Sequence, residues 1–260
     1  MHPLDGINAK IARSEEGLTA LAALVQAFQT DSIKRVKVTW QLENNFTSFV
    51  GRAKGFTPVP IQTSIILGEI IHNIRSSLDH IVCRLAEQNG APVVSSHKFP
   101  ISKAPEYFKK SVEHGSLAGL SHQAIAAVES VQPYNNADIN TSTLKLINDL
   151  SNADKHRLIV VVGGATVLGT QIQILNEIKE NMDIANMTPP FQSISNERTD
   201  EEIEVFRLNL FRPNPNFWAE VQIEFDLHMQ DHAPGYPLIG TVAQLIAYTK
   251  HQVAEFSKFF

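Results

Sequence analysis

The stretch from Ile61 to Gln88 decides most of the fold, and it reads IQTSIILGEIIHNIRSSLDHIVCRLAEQ. It follows two prolines, contains none itself, and ends at Asn89-Gly90, a pair typical of a helix C-terminus. When each residue is turned by about 100°, the large aliphatic residues share one sector. We therefore predict one long helix that packs this sector against the core, namely Leu67, Ile70, Ile71, Ile74, Leu78, Ile81, Val82 and Leu85.

The opposite side of the predicted helix is polar and chemically varied. It contains Glu69, His72, Asn73, Arg75, Ser76, Asp79, His80 and Arg84. A helix face that only meets solvent is usually filled with Lys, Glu and Gln, yet residues 55–89 include no lysine. We interpret this side as a candidate site. A plain solvated face, with an Arg75–Asp79 pair worth roughly a few tenths of a kcal/mol, explains the same residues.

A second polar cluster, Asp154, Lys155, His156 and Arg157, lies where a helical pattern changes to a strand pattern. Side chains at such a junction can project into a cleft and approach another element. The same residues also suit a helix C-terminus, where basic groups balance the helix dipole. Both interpretations remain open from the residues alone.

The first part of the chain is predicted to be mainly helical. Its other elements are, in order, a helix through residues 7–28, a hairpin of 36–42 and 46–50 that turns at Glu43-Asn44-Asn45, and short helices at 106–114, 122–131 and 141–154.

Strand patterns dominate the rest of the chain. The first strand is predicted at residues 158–162, and after a turn at Gly163-Gly164 a second one includes Ile172 and Ile174. Two more strands are predicted at 203–211 and 217–228, and a last helix at 238–258. Residues 181–200 are polar and predicted to be a mobile excursion. Helices first and antiparallel strands later indicate the α+β class. We predict a single domain over 1–260, with a helical part at about 1–156 and a β-rich part at about 157–260.

Composition narrows the class of protein. The 260 residues are 43% hydrophobic, which excludes disorder of the whole, and a net charge of -5 argues against a general electrostatic grip on nucleic acid or acidic membrane. The lone cysteine, Cys83, has no disulfide partner within the chain. The sequence shows neither a leader pattern nor an apolar run long enough to cross a membrane, so we expect a cytoplasmic protein. It shows no cofactor motif, and we expect no cofactor.

Four blocks resemble a widespread bacterial protein family of uncharacterised function. They are Gly68 to His80, Lys98-Phe99-Pro100-Ile101, Val131-Gln132-Pro133-Tyr134, and Leu150 to Arg157. The resemblance covers about residues 65–160 and implies no activity.

A looser resemblance implies chemistry. Arg75, four intervening residues and His80 are similar to the arginine-to-histidine motif of HEPN ribonuclease domains, although Ser76 stands where that family commonly has Asn, Asp or His. Those domains are helical, usually dimeric, and act without metal in toxin and phage-defence systems. The resemblance implies a homodimer that binds or cleaves RNA.

Such a reaction suits these residues. An imidazole such as His80 moves protons near neutral pH, and a guanidinium such as Arg75 holds a phosphate in two hydrogen bonds. Asn73 and Asp79 are then expected to support this pair, and we expect the remaining polar groups to bind substrate: Glu69, His72, Asp154, Lys155, His156 and Arg157.

Two other functions fit the same residues. A metal hydrolase would use His72, His80 or Asp79 with His156, but two helical turns separate the first two by nearly 12 Å, too far for one ion. We therefore predict no metal site. In the other alternative, the polar clusters form a buried structural network, and a non-catalytic binding surface lies at 181–200 or around Trp218.

Overall fold

The computed structural model describes residues 2–171, 181–183, 186, 191–194, 201–230 and 236–260. Among them it has six α-helices and antiparallel sheets, so the predicted α+β class is confirmed. The helices are α1 (Asp5–Arg35), α2 (Ile61–Gln88), α3 (Pro105–Glu113), α4 (His122–Ser130), α5 (Thr143–His156) and α6 (Leu238–Phe256). The strands are β1 (Lys37–Glu43), β2 (Ser48–Lys54), β3 (Val161–Gln171), β4 (Met182–Asp183), β5 (Phe191–Ile194), β6 (Ile203–Leu210) and β7 (Glu220–Met229).

The chain forms two compact units, each assembled from separate segments. The helical unit contains residues 1–22, 62–159 and 239–260, and the β unit contains 23–61 and 160–238. Helix α6 therefore groups with the early helices, and the hairpin β1–β2 groups with the later strands. This grouping differs from the halves that the sequence suggested, because sheet pairing and helix packing join segments distant in sequence. The single domain stays a prediction.

Helix α2 is the centre of the helical unit. Its predicted apolar sector is confirmed, since all eight residues are at most 2% exposed. The helix ends as expected at Gly90, which has a φ of 76° and allows the Ala91 N–H to donate to the Ala86 carbonyl over 2.9 Å. Helix α1 lies close beside it, because a Cβ at Gly17 would meet the Ile70 side chain at 2.8 Å.

The β unit contains two antiparallel sheets, with strand orders β1-β2-β6-β4 and β5-β3-β7. The predicted hairpin is present, and its turn uses three residues with positive φ, Asn44, Asn45 and Phe46. Asparagine tolerates this conformation better than most residues. In the hairpin the Trp40 ring stacks on Phe49 at 5.3 Å. Gly51 leaves the space that the Trp40 indole occupies.

The predicted turn at Gly163-Gly164 is wrong. Strand β3 continues through both glycines, which pair with Leu227 and Asp226 of β7 and with Ile194 and Ser193 of β5. A glycine pair permits either a turn or a strand, and here the ladders on both sides decide for the strand. Ile172 and Ile174 of the predicted second strand lie outside the described residues, as do 184–185, 187–190 and 195–200 of the predicted excursion.

Candidate functional site

The polar face of α2 is divided between two environments, and its C-terminal part binds a neighbouring loop. The Arg75 guanidinium donates from Nη1 to Asp79 Oδ1 over 2.6 Å and from Nη2 to the Phe99 carbonyl over 2.9 Å. The Phe99 N–H donates to the same Asp79 oxygen over 2.7 Å. Arg75 and Asp79 thus fasten the loop around Phe99 to the helix, and the Arg75 side chain is only 14% exposed.

A buried amide holds the same loop from the other side. The Gln132 side chain is fully buried, and its Nε2 donates to the carbonyls of Pro100 and Val128 over 2.8 and 2.9 Å. Its Oε1 accepts from the Ser102 N–H over 2.8 Å. These bonds and the Arg75 contacts form one structural network, which we call the loop brace: Arg75, Asp79, Phe99, Pro100, Ser102 and Gln132.

The N-terminal part of the polar face lines an open pocket of about 620 Å³. This volume is within the range of small-molecule sites. Helices α1, α2 and α5 and the residues just after α5 all contribute to the lining. We call it the α2 pocket, and its lining residues are Arg13, Ile65, Gly68, Glu69, His72, Asn73, Asp154 and Leu158.

Asp154 reaches this pocket because residue 68 has no side chain. A Cβ atom at Gly68 would overlap Asp154 Oδ1 and would lie 2.9 Å from its Cγ. Glycine inside a helix costs about 1 kcal/mol relative to alanine, so it marks a place where space is needed. The close contact brings the carboxylate from the end of α5 against α2, beside Glu69 and His72.

The polar groups of the α2 pocket are open to a ligand. Within the described part of the chain, the side chains of Glu69, His72, Asn73 and Asp154 make no hydrogen bond. Burial raises the pKa of the Asp154 carboxyl, and the nearby His72 opposes this shift without cancelling it. The Asp154 carboxylate is therefore partly shielded from water, and a cation or a hydrogen-bond donor would stabilise its charged form.

His80 lies outside the α2 pocket, beyond the loop brace along the helix. Burial lowers its pKa, and the positive charges of Lys10 and Arg84 lower it further against the opposing effect of Asp79. The half-buried imidazole is thus favoured in its neutral form. The lone cysteine, Cys83, is free, and burial raises the pKa of its thiol.

The structure separates the residues that the sequence analysis grouped. Of the junction cluster only Asp154 lines the α2 pocket, whereas Lys155, His156 and Arg157 are exposed. The contribution of Arg13 from α1 was missed, because nothing in the sequence states which helix lies beside α2. The sequence did contain a signal for Gly68, since a glycine in the middle of a strong helical pattern indicates close packing at that position.

Metal binding finds no geometric support in the part of the chain that the structure describes. No three His, Cys, Asp or Glu side chains there gather closely enough to hold an ion. None of the described helices combines the length and the apolarity needed to cross a bilayer.

Comparison with known proteins gives no family for this chain. It matches no family model, no curated protein and no solved structure.

Four segments that are distant in sequence meet within the helical unit. Arg75 of α2 bonds to Phe99, Gln132 bonds to Pro100, and Asp154 of α5 lies against Gly68 of α2. Part of this assembly is the loop brace and part is the α2 pocket.

Proposed function

We propose that the chain is a binding protein whose α2 pocket takes a small organic cation, an amine or guanidinium group carried on a short apolar body. The observation that carries this proposal is the presence of Glu69 and Asp154 in one pocket, with neither carboxylate bonded to another described residue. Two acidic groups that form no hydrogen bond or ion pair with the described residues attract a positive ligand.

The charge balance of the lining supports a cation. Arg13 also lines the pocket, but its Nη1 is already paired with Glu16 at 3.0 Å. Bringing a positive group next to Asp154 would offset the burial that raises the carboxyl pKa. His72 and Asn73 supply further hydrogen-bonding groups for orientation.

The apolar body of the ligand is supported by the rim of the pocket. Ile65 and Leu158 line it and are 45% and 44% exposed, which is high for large aliphatic residues. Covering them with a hydrocarbon chain would gain roughly 25 cal/mol for each Å² removed from water. A primary amine on a chain of a few carbons therefore fits both parts of the lining.

The test uses butylamine and agmatine as probes and butyrate as the matched anion, with binding followed by NMR chemical shifts. We expect saturable binding of both cations and none of butyrate. The double variant Glu69→Gln/Asp154→Asn should lose at least about tenfold in affinity, because charged hydrogen bonds are lost. The control Glu87→Gln, an exposed carboxylate on the same helix paired with Arg84, should bind like wild type. Equal binding by the double variant and the control would contradict the proposal.

RNA binding or metal-independent cleavage by a homodimer, as in the HEPN resemblance, is the second candidate. One observation favours it: burial and the positive charges of Lys10 and Arg84 lower the pKa of the partly exposed His80, which favours its neutral form. A neutral imidazole accepts a proton, and the two cations attract phosphate. Arg75 would have to leave Asp79 and Phe99 before it could hold a phosphate.

Incubation of the protein with mixed RNA in chelator tests this candidate. Cleavage by wild type that disappears in His80→Ala is the expected result. No cleavage across many RNAs, or equal cleavage by His80→Ala, would remove it. Sedimentation equilibrium tests the homodimer.

A further inference from the structure

A second pocket of the helical unit has the opposite charge. It has a volume of about 310 Å³ and is formed by the loop before α3, by one side of that helix and by the residues just after it. Among the described residues its lining contains two lysines, a histidine, a tyrosine and four serines, and no carboxylate. We call this site the α3 pocket, and its lining includes Lys98, Lys110, His114, Ser111, Ser116 and Tyr107.

The two lysines of the α3 pocket are available to a ligand. Neither Lys98 nor Lys110 forms an ion pair with any residue that the structure describes, and both side chains are exposed. In a chain of net charge -5, two free ammonium groups around a lining without acidic residues make a local centre of positive charge. Such a centre attracts an anion.

Hydroxyl groups complete the lining. Ser111 Oγ donates to Ser116 Oγ over 3.0 Å, so the hydrogen of the Ser116 hydroxyl remains for another acceptor. Ser116 is 2% exposed, which fixes its position in the wall. Lysine ammonium and serine hydroxyl groups together are typical donors to phosphate oxygens.

The C-terminal end of a helix normally repels anions, but carbonyls in the last turn of α3 accept hydrogen bonds from the chain that follows. The Ser116 N–H donates to the Ser111 carbonyl over 3.1 Å, and the Gly115 N–H donates to the Val112 carbonyl over 2.9 Å. Gly115 has the positive φ of 83° that this cap requires. The negative end of the helix is thus satisfied by its own chain.

The His114 side chain adds to this cap. Its Nδ1 lies 2.6 Å from the Lys110 carbonyl. Because a carbonyl can only accept, Nδ1 carries the hydrogen of this bond. The Lys110 carbonyl is thus occupied by the chain itself, and the donors that the lining offers to an anion are the lysine ammonium and serine hydroxyl groups.

We propose that the α3 pocket binds the phosphate group of a small phosphate monoester, and that the Tyr107 ring covers a flat group attached to it, as in a nucleoside monophosphate. Tyr107 lines the pocket and is 57% exposed, so its ring offers a stacking surface at the rim. The volume suits one such molecule and not a folded partner. This proposal concerns a different cavity from the α2 pocket and is independent of the function proposed above.

The experiment titrates inorganic phosphate and adenosine monophosphate into the full chain by isothermal calorimetry and NMR. We expect saturable binding of both, with the nucleotide tighter. Lys98→Gln/Lys110→Gln should weaken both ligands by about tenfold or more, since each charged hydrogen bond is worth that much. The control Lys103→Gln/Lys109→Gln makes the same charge change at exposed lysines outside the lining and should keep wild-type affinity.

A third variant separates the two parts of the ligand. Tyr107→Ala should weaken the nucleotide several-fold and leave inorganic phosphate unchanged. No saturable binding of the nucleotide would overturn the proposal, as would an equal loss in both lysine double variants. If phosphate and nucleotide bind equally and Tyr107→Ala has no effect, the stacking part is wrong.

Discussion

The Asp154 carboxylate occupies the position that a side chain at residue 68 would need. Its Cγ and Oδ2 lie 2.9 and 3.0 Å from an ideal Cβ on Gly68. Any other residue at 68 would push the carboxylate away from α2. This contact joins the end of α5 to the polar face of α2 and places two acidic side chains, Glu69 and Asp154, in one pocket.

The loop brace should be important for stability. Arg75→Ala removes two hydrogen bonds and leaves the partly buried Asp79 and the Phe99 carbonyl with fewer partners. We expect a loss of about 2 kcal/mol in the free energy of unfolding, measured by urea denaturation. Arg84→Ala is the matched control, because the Arg84–Glu87 pair is exposed and should cost less than about 0.5 kcal/mol. Equal losses would show that Arg75 does not hold the loop.

Gln132 is expected to be equally sensitive. Gln132→Leu keeps much of the volume but leaves the Ser102 N–H and the Pro100 and Val128 carbonyls without this partner. Each buried group left without a bond costs about 1–3 kcal/mol, so the variant should lose more than 2 kcal/mol by that estimate. Gln123→Leu, at an exposed position of α4, is the control and should leave the unfolding midpoint nearly unchanged. A mild effect at residue 132 would argue against the brace.

Asp154 should destabilise the protein at neutral pH. Its pKa is raised on folding, so the folded chain binds more protons than the unfolded chain just above the ordinary value of 3.8. Stability from this group is therefore lost as pH rises through the raised pKa. We expect Asp154→Asn to increase the melting temperature at pH 7 and to have much less effect at pH 3. Asp149→Asn, which removes the partner of Lys145, should instead lower it at pH 7. An increase of similar size at both pH values for Asp154→Asn would be incompatible with a buried carboxylate.

His80 should give a pH dependence of the opposite sign. Its pKa is lowered on folding, so the unfolded chain binds more protons between the lowered value and the ordinary 6.5. Stability from this group is present at higher pH and is lost as pH falls through that window. Chemical denaturation at several pH values should show a flatter profile for His80→Asn than for wild type. The exposed His122→Asn variant should keep the wild-type slope, and an unchanged slope for His80→Asn would contradict the burial of this ring.

Much of the fold follows from patterns that are local in sequence. The bounds of α2 agree with the sequence prediction because its apolar sector and its Gly90 cap both lie within the helix and the residues next to it. The strand through Gly163-Gly164 could not be predicted, because its conformation depends on β5 and β7, which are distant in sequence.

The site was predictable only in part for the same reason. The polar face of α2 could be recognised from the sequence as one set of residues, but its division between the loop brace and the α2 pocket could not. Arg75 and Asp79 are committed to Phe99, a residue whose position depends on how the loop after α2 returns. Arg13 of α1 lines the α2 pocket, but nothing in the sequence of α1 indicates that this helix packs beside α2.

The coupling between Gly68 and Asp154 tests whether the Asp154 carboxylate lies against α2. Urea denaturation of Gly68→Ala, Asp154→Ala and the double variant gives this coupling as a free energy. In the Asp154→Ala background the new methyl group has space, and alanine should gain up to about 1 kcal/mol, as expected for a helix interior. Gly240→Ala in the first turn of α6, where no described atom lies within 4 Å of the added carbon, is the control for a substitution without a steric clash. We predict that Gly68→Ala is less favourable in wild type than in Asp154→Ala by about 1 kcal/mol or more. The same effect in both backgrounds would show that Asp154 does not lie against α2 and would remove the pocket on which the proposed function depends.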